Sequence, residues 1–203
     1  MRDTKVENGF TLAELLVAML VTSIVLSAVV TLAFALGNAN DMMTDTGRQQ
    51  ARLRYAALKI SQLIRDSKLI CGMTGNSLII WRADDNNDEN ININELIYIE
   101  RGANKDFLRF CEFPASDVSL ISLDAIKSLD IGNYNVTYTS LILECENVEF
   151  HLDELSPYTR FVNISFDLKE NNITHNYQIN ASLRSWAGHM LNETGDALVS
   201  DDD

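Results

Sequence analysis

The sequence predicts an α+β protein in which a long N-terminal helix packs on an antiparallel β-sheet. Three observations predict it: an uncharged apolar run over residues 15–36, an apolar stripe at helical spacing beyond that run, and a series of short alternating segments from Ser77 onward. The length of 203 residues suits one domain of ordinary size with an appendage.

The apolar run holds 22 consecutive residues without a charge, rich in Leu, Val and Ala. As a helix it would reach about 33 Å, enough for a hydrocarbon core of about 30 Å. The helical pattern then continues. Leu53, Ala57, Ile60 and Ile64 recur every three or four residues with Ala56 and Leu63 beside them, while Arg48, Arg52, Arg54, Lys59 and Arg65 lie mostly off that stripe. The stripe is expected to pack on the sheet. Gly37 and Gly47, with Asn38 and Asn40 nearby, are expected to be weak points along the helix.

Strands are expected at residues 77–82, 95–100, 106–111, 135–138, 147–152, 161–168 and 177–183, which are β-branched or aromatic and separated by polar turns. The last two flank residues 170–172 and read as a hairpin. Residues 122–129 suit a short helix. A helix packed on an antiparallel sheet is an α+β layer arrangement. The acidic end, residues 193–203, is expected to be loose.

The net charge of −13 and the lack of any basic stripe argue against nucleic-acid binding. The N-terminus is more informative. A secretory signal has a basic start, a short apolar stretch and then a small-residue cleavage site. Here a polar nonapeptide ending in Gly9 runs straight into Phe10, Thr11, Leu12, Ala13 and Glu14, and then into the long apolar run. Glu14 and the pair Asp41 and Asp45 are the only charges between Gly9 and Arg48. A carboxylate in hydrocarbon costs at least about 2.5–3.5 kcal/mol, so such residues usually have a partner.

Gly9, Phe10, Thr11, Leu12 and Glu14, followed by the uncharged helix, resemble the leader and helix start of type IV prepilins and type II secretion pseudopilins. That resemblance implies a pilin-like fold, cleavage by a prepilin peptidase between Gly9 and Phe10, and N-methylation of Phe10. It also implies that Glu14 neutralises the new amine of a neighbouring subunit during assembly; the alternative is that Glu14 snorkels to the headgroups. The organisation is then a leader at 1–9, a transmembrane assembly helix at 10–36, the soluble half of the helix at 37–68, a β-rich globular domain at 69–192 and an acidic tail at 193–203.

Arg2 and Lys5 favour a cytoplasmic N-terminus, although Asp3 and Glu7 cancel their charge, so the orientation comes mainly from the motif. The implied location is the inner membrane, single-pass, with the globular domain periplasmic. The implied partners are other pilin or pseudopilin subunits, the prepilin peptidase and the inner-membrane assembly platform. With nine residues removed, 194 of the 203 remain. That length and the stretch at 54–67 resemble larger minor pseudopilins of the J-type and minor pilins of the W-type, which implies a place at the filament tip.

One loop suits a cation. In residues 84–95, Asp84, Asn86, Asp88, Asn92 and Glu95 fall at the first, third, fifth, ninth and twelfth positions of a calcium loop, with Asn90 at the backbone-carbonyl position and Ile91 at the apolar eighth. Glu89 replaces the glycine of the sharp turn, and the flanks read as strands. The other reading is a polar hairpin turn, since Asn and Asp favour turns anyway.

Cys71, Cys111 and Cys145 form an odd set without metal-ligand spacing. In an oxidising periplasm one pair could form a disulfide. His151, His175 and His189 are scattered, and nothing assembles a nucleophile, a base and an orienting acid, so no enzyme activity is expected. The competing reading is a signal-anchored, calcium-binding or adhesive domain that never polymerises. Asn135, Asn163, Asn172, Asn180 and Asn192 each begin a glycosylation tripeptide in its favour.

Overall fold

The computed structural model describes residues 11–170, 173–192, 195 and 197–199. The expected leader lies outside them. The chain divides into two compact units, Met1–Gln49 and Gln50–Asp203.

Helix α1 runs over Leu12–Asp66 without a break. Within it, Leu12–Asn40 is long and apolar enough to cross a membrane, and none of it is buried by the rest of the protein. The helix continues through Gly37 and Gly47. A lone glycine costs a helix only about 1 kcal/mol relative to alanine, which strong formers around it can absorb.

Among its described residues the second unit has eight strands: β1 (Leu69–Thr74), β2 (Ser77–Trp81), β3 (Leu96–Arg101), β4 (Phe107–Glu112), β5 (Thr137–Leu143), β6 (Glu146–Leu152), β7 (Phe161–Glu170) and β8 (Ile173–Ser182), with a short helix α2 at Leu123–Lys127. They form not one sheet but two, a five-stranded sheet in the order β1-β2-β3-β4-β5 and a three-stranded sheet in the order β6-β7-β8. Every described strand pairing is antiparallel.

The five-stranded sheet is covered on both faces. On one, Ala56, Ile60 and Ile64 of α1 meet Ile80, Ile97 and Phe110 of this sheet and Val162, Ile164 and Phe166 of the other in a single core. On the opposite face, Cys71, Trp81, Tyr98 and Cys111 pack against Leu123 and Ile126 of α2 and against Ala187 and Met190 near the C-terminus. Double coverage explains why β2 is buried at every position and reads as an unbroken apolar run rather than an alternation.

The helical stripe is the expected one, centred on Ala56, Ile60 and Ile64 with Leu53, Ala57 and Leu63 partly buried beside it. Strand β1 was not among the expected strands. Gly72 interrupts its apolar pattern, and the register with β2 slips between Ile70 and Gly72. Strand β5 runs five residues past its expected end, since the expected 135–138 becomes Thr137–Leu143. A register shift against β4 at Leu108/Arg109 throws Leu141 out of alternation.

The described part of the tail is not loose. Leu198 packs on the second core, and the Val199 N–H donates to the Met190 carbonyl at 2.7 Å. The three candidate cysteines form no disulfide. Cys71, Cys111 and Cys145 are all free and buried. Cys71 on β1 and Cys111 on β4 are three strand spacings apart, about 14 Å, twice the Cα separation of about 7 Å that a disulfide tolerates. Cys145 belongs to the other core. Burial pushes the Cys71 thiol up to about 12 and those of Cys111 and Cys145 up to about 11, so all three stay protonated and unreactive.

Ile60 is fully buried where helix and sheets meet. Replacing it with alanine is expected to cost about 3 kcal/mol and Ile60→Val about 1 kcal/mol. Denaturant unfolding followed through tryptophan fluorescence measures both, and an Ile60→Ala loss no larger than that of Ile60→Val would place the core elsewhere.

Candidate functional site

Gly9 and Phe10 lie outside the described residues; Glu14 lies inside them, in the first turn of α1. Its Oε2 accepts the Thr11 N–H at 3.0 Å and the Thr11 hydroxyl at 2.9 Å, and the Glu14 N–H donates to the Thr11 Oγ1 at 3.3 Å. This is a reciprocal capping box. Thr-x-x-Glu is the sequence signature of such a cap. Both Thr11 donors fall on one carboxylate oxygen, and both are neutral. The cap therefore orients the carboxylate, and no described residue forms an ion pair with it.

Further along this apolar stretch, Thr22, Ser23, Ser27 and Thr31 donate their hydroxyls to carbonyls three or four residues back in the same helix. That removes bare polar groups from a segment apolar enough to cross a membrane.

The loop at 84–95 joins β2 to β3 and ends in a 3-10 turn at Ile93–Glu95. Its backbone turns at two non-glycine residues with positive φ, Asn87 at 55° and Glu89 at 59°. A side chain in that left-handed region costs about 1–2 kcal/mol, and the loop recovers it through local bonds. Asp84 accepts the N–H groups of Asp88 at 3.1 Å and Glu89 at 3.2 Å. Asp88 accepts the Asn90 N–H at 2.8 Å and the side-chain amides of Asn86 at 2.7 Å and Asn92 at 3.3 Å. The Asn90 N–H is the main reason that the Asp88 carboxyl is held below its ordinary range. Ile91 is buried, as its position in the pattern requires.

Glu95 behaves differently from the other acids. It is 1 % exposed, and its carboxylate accepts the Trp81 indole N–H at 3.0 Å and the backbone N–H groups of Asp85 at 2.8 Å and Asn92 at 3.2 Å. Three donors satisfy a buried charge and tie the two ends of the loop together. Sequence reading missed the Trp81 bond, which joins residues 14 positions apart. The loop gathers Asp84, Asn86 and Asp88 through their mutual hydrogen bonds. Among the described residues, though, no three His, Cys, Asp or Glu side chains converge as metal ligands.

A second segment braces the loop. The N–H groups of Ile93 and Asn94 donate to the carbonyls of Ser119 and Asp117, and the Ile121 N–H donates to that of Ile91. The histidines sit on separate elements, His151 on β6, His175 on β8 and His189 in a 3-10 turn at Gly188–Met190.

Residues 4–30 match the family model for the prokaryotic N-terminal methylation motif. The match spans the expected cleavage site, Glu14 and the first turns of the apolar helix. Over this segment the chain is prepilin-like, of the type IV pilin or pseudopilin kind. No curated protein and no solved structure matches it. An apolar helix near the N-terminus and a methylation motif together fit membrane anchoring.

Proposed function

We propose that the protein is a non-catalytic minor subunit of an inner-membrane filament, either a type II secretion pseudopilus or a type IV pilus. A prepilin peptidase cuts it after Gly9, Phe10 is methylated, and the subunit enters the filament through α1 with its globular unit on the periplasmic side. The observation that carries this reading is the methylation motif at residues 4–30, placed directly on a membrane-length helix. Its partners are the peptidase, an inner-membrane assembly platform and neighbouring pilin-like subunits.

Glu14 has a defined task in this account. The Thr11 cap holds the carboxylate at the start of the helix, and no described residue forms an ion pair with it. The α-amino group that cleavage creates on Phe10 of an adjacent subunit supplies the missing positive charge, and this pairing sets how far one helix slides along the next. Glu14→Gln and Glu14→Ala are expected to be cleaved normally and to enter filaments about a hundredfold less well, the equivalent of about 3 kcal/mol. Quantitative recovery of sheared filaments measures this. Normal incorporation of both variants would remove Glu14 from assembly.

A second reading concerns the loop, and the two left-handed residues Asn87 and Glu89 favour it. We propose that residues 84–95 bind one calcium ion through Asp84, Asn86, Asp88 and Asn92, with Asn90 contributing its carbonyl, while Glu95, taken up by the Trp81 indole and two backbone N–H groups, anchors the end of the loop. Bound calcium would stiffen the loop without supplying any reaction. The depressed Asp88 carboxyl sets the sign of the pH dependence: it stays ionised until the pH falls below the ordinary aspartate value of about 3.9. Calorimetry on the full chain in detergent should therefore show calcium binding that is steady from about pH 7 to 5 and disappears below about pH 4. Asp84→Ala combined with Asp88→Ala should abolish the heat. No heat with the unaltered chain at millimolar calcium, about the weak end of such loops, would leave a plain polar turn.

A further inference from the structure

The two sheets present four edge strands, β1, β5, β6 and β8. Edge strands carry unpaired N–H and C=O groups, and proteins keep them from joining other chains with bulges, charges, proline or a covering segment. Three of the four edges have such protection. Strand β1 has a bulge at Ile70/Gly72, and its Thr74 hydroxyl donates to the Lys127 carbonyl of α2 at 3.0 Å. Strand β5 is shifted against β4 at Leu108/Arg109. Strand β6 is shifted between Glu146 and Glu149, carries both of those acids, and is covered by Lys105 and Arg101, which bond to the backbone of Val148.

Among the described residues, strand β8 has none of these devices. Ile173–Ser182 contains no Asp, Glu, Lys, Arg, Gly or Pro, and it pairs with β7 over ten consecutive residues with no shift. Alternate residues along it therefore turn their backbone groups to an edge that no described strand occupies. In a chain of net charge −13, a ten-residue edge without a charge is a place where two copies can meet without repulsion.

The order of its residues indicates which strand fits there. Read outward from Gln178, the alternate polar positions mirror one another: Asn176 answers Asn180 and Thr174 answers Ser182. The residues at 174, 176, 178, 180 and 182 share one face with Asn163 and Asp167 of β7, as the register requires. On that face amides already bond across strands, Asn163 Nδ2 to Asn180 Oδ1 at 2.6 Å and Asn176 Nδ2 to Asp167 Oδ1 at 2.8 Å.

We propose that β8 is a self-pairing edge, and that two copies of this chain join through it, antiparallel and centred on Gln178, into one continuous six-stranded sheet. In that register Gln178 faces Gln178 of the second copy, Asn176 faces Asn180, Thr174 faces Ser182, and the ring of Tyr177 lies opposite the aliphatic Ile179. Like polar residues meet on one face, which extends the amide ladder across the junction. The pairing draws only on the globular unit and is independent of cleavage and of Glu14.

Oxidative crosslinking of the full chain in its membrane tests the pairing. The three native thiols are buried and add little background. Gln178, Thr174 and Ser182 are exposed, so cysteine at these positions leaves the fold intact. Gln178→Cys is expected to give a disulfide-linked homodimer. Thr174→Cys and Ser182→Cys should crosslink strongly only when expressed together. Asn163→Cys, one strand inside the edge, should not crosslink, because its two copies would lie about three strand spacings, or 14 Å, apart across the sheet and four residues, about another 14 Å, apart along it. Adding Gln178→Lys to the Thr174→Cys and Ser182→Cys pair should abolish their crosslink. The proposal is overturned if Gln178→Cys gives no dimer, if Asn163→Cys crosslinks as well, or if position 178 joins to a protein of a different mass.

Discussion

A carboxylate carried into hydrocarbon loses the water that stabilised its charge, and the protein must replace that water with donors or with an opposite charge. Glu14 meets half of this requirement within its own helix. Thr11 offers a backbone N–H and a hydroxyl, both to Oε2, and neither is charged. The carboxylate is thus fixed in direction while its charge awaits a partner. On the proposed function, a primary amine released one residue before Thr11 would have the right size and sign, and its pairing with Glu14 of a neighbour would relate the two helices along their length. The other polar groups of the apolar stretch make no such demand, since the hydroxyls of Thr22, Ser23, Ser27 and Thr31 return to their own helix.

In the second unit a different constraint governs. A five-stranded sheet buried on both faces needs two independent covers, and the chain supplies them from distant parts of its sequence. The last three turns of α1 and the three-stranded sheet cover one face, while α2 and the segment around Met190 cover the other. Leu198 and Val199 are held because the second cover needs them. The loop at 84–95 follows the same logic. Its acidic end, Glu95, enters the structure only because the Trp81 indole and two backbone N–H groups meet it there. Anchored at that end, the rest of the loop can gather Asp84, Asn86 and Asp88 at the surface.

How much of this is legible in the sequence depends on whether the signal is local. The membrane-length helix, the stripe at Ala56, Ile60 and Ile64, the short helix after Ser122 and the hairpin of β7 and β8 all rest on periodicity within a few residues, and all are found. The bulges in β1 and β5 are not legible, because an extra residue breaks alternation and only the partner strand reveals it. The division into two sheets is likewise a matter of pairing between distant strands. Three cysteines looked like disulfide material until strand order set Cys71 and Cys111 too far apart. At the N-terminus, the charge of Glu14 was readable as a functional mark, and the capping role of Thr11 was equally readable from its spacing. For the loop, the ligand pattern was visible in residues 84–95, but the inward commitment of Glu95 depends on Trp81, which the pattern does not include.

Intact-mass and N-terminal sequencing of the protein, taken from membranes of cells that possess a prepilin peptidase, probes the processing step on which the Glu14 pairing depends. A chain beginning at methylated Phe10, lighter by the nine leader residues, is the expected product. A mature protein that still begins at Met1 has no amine in place for Glu14 and would contradict the account.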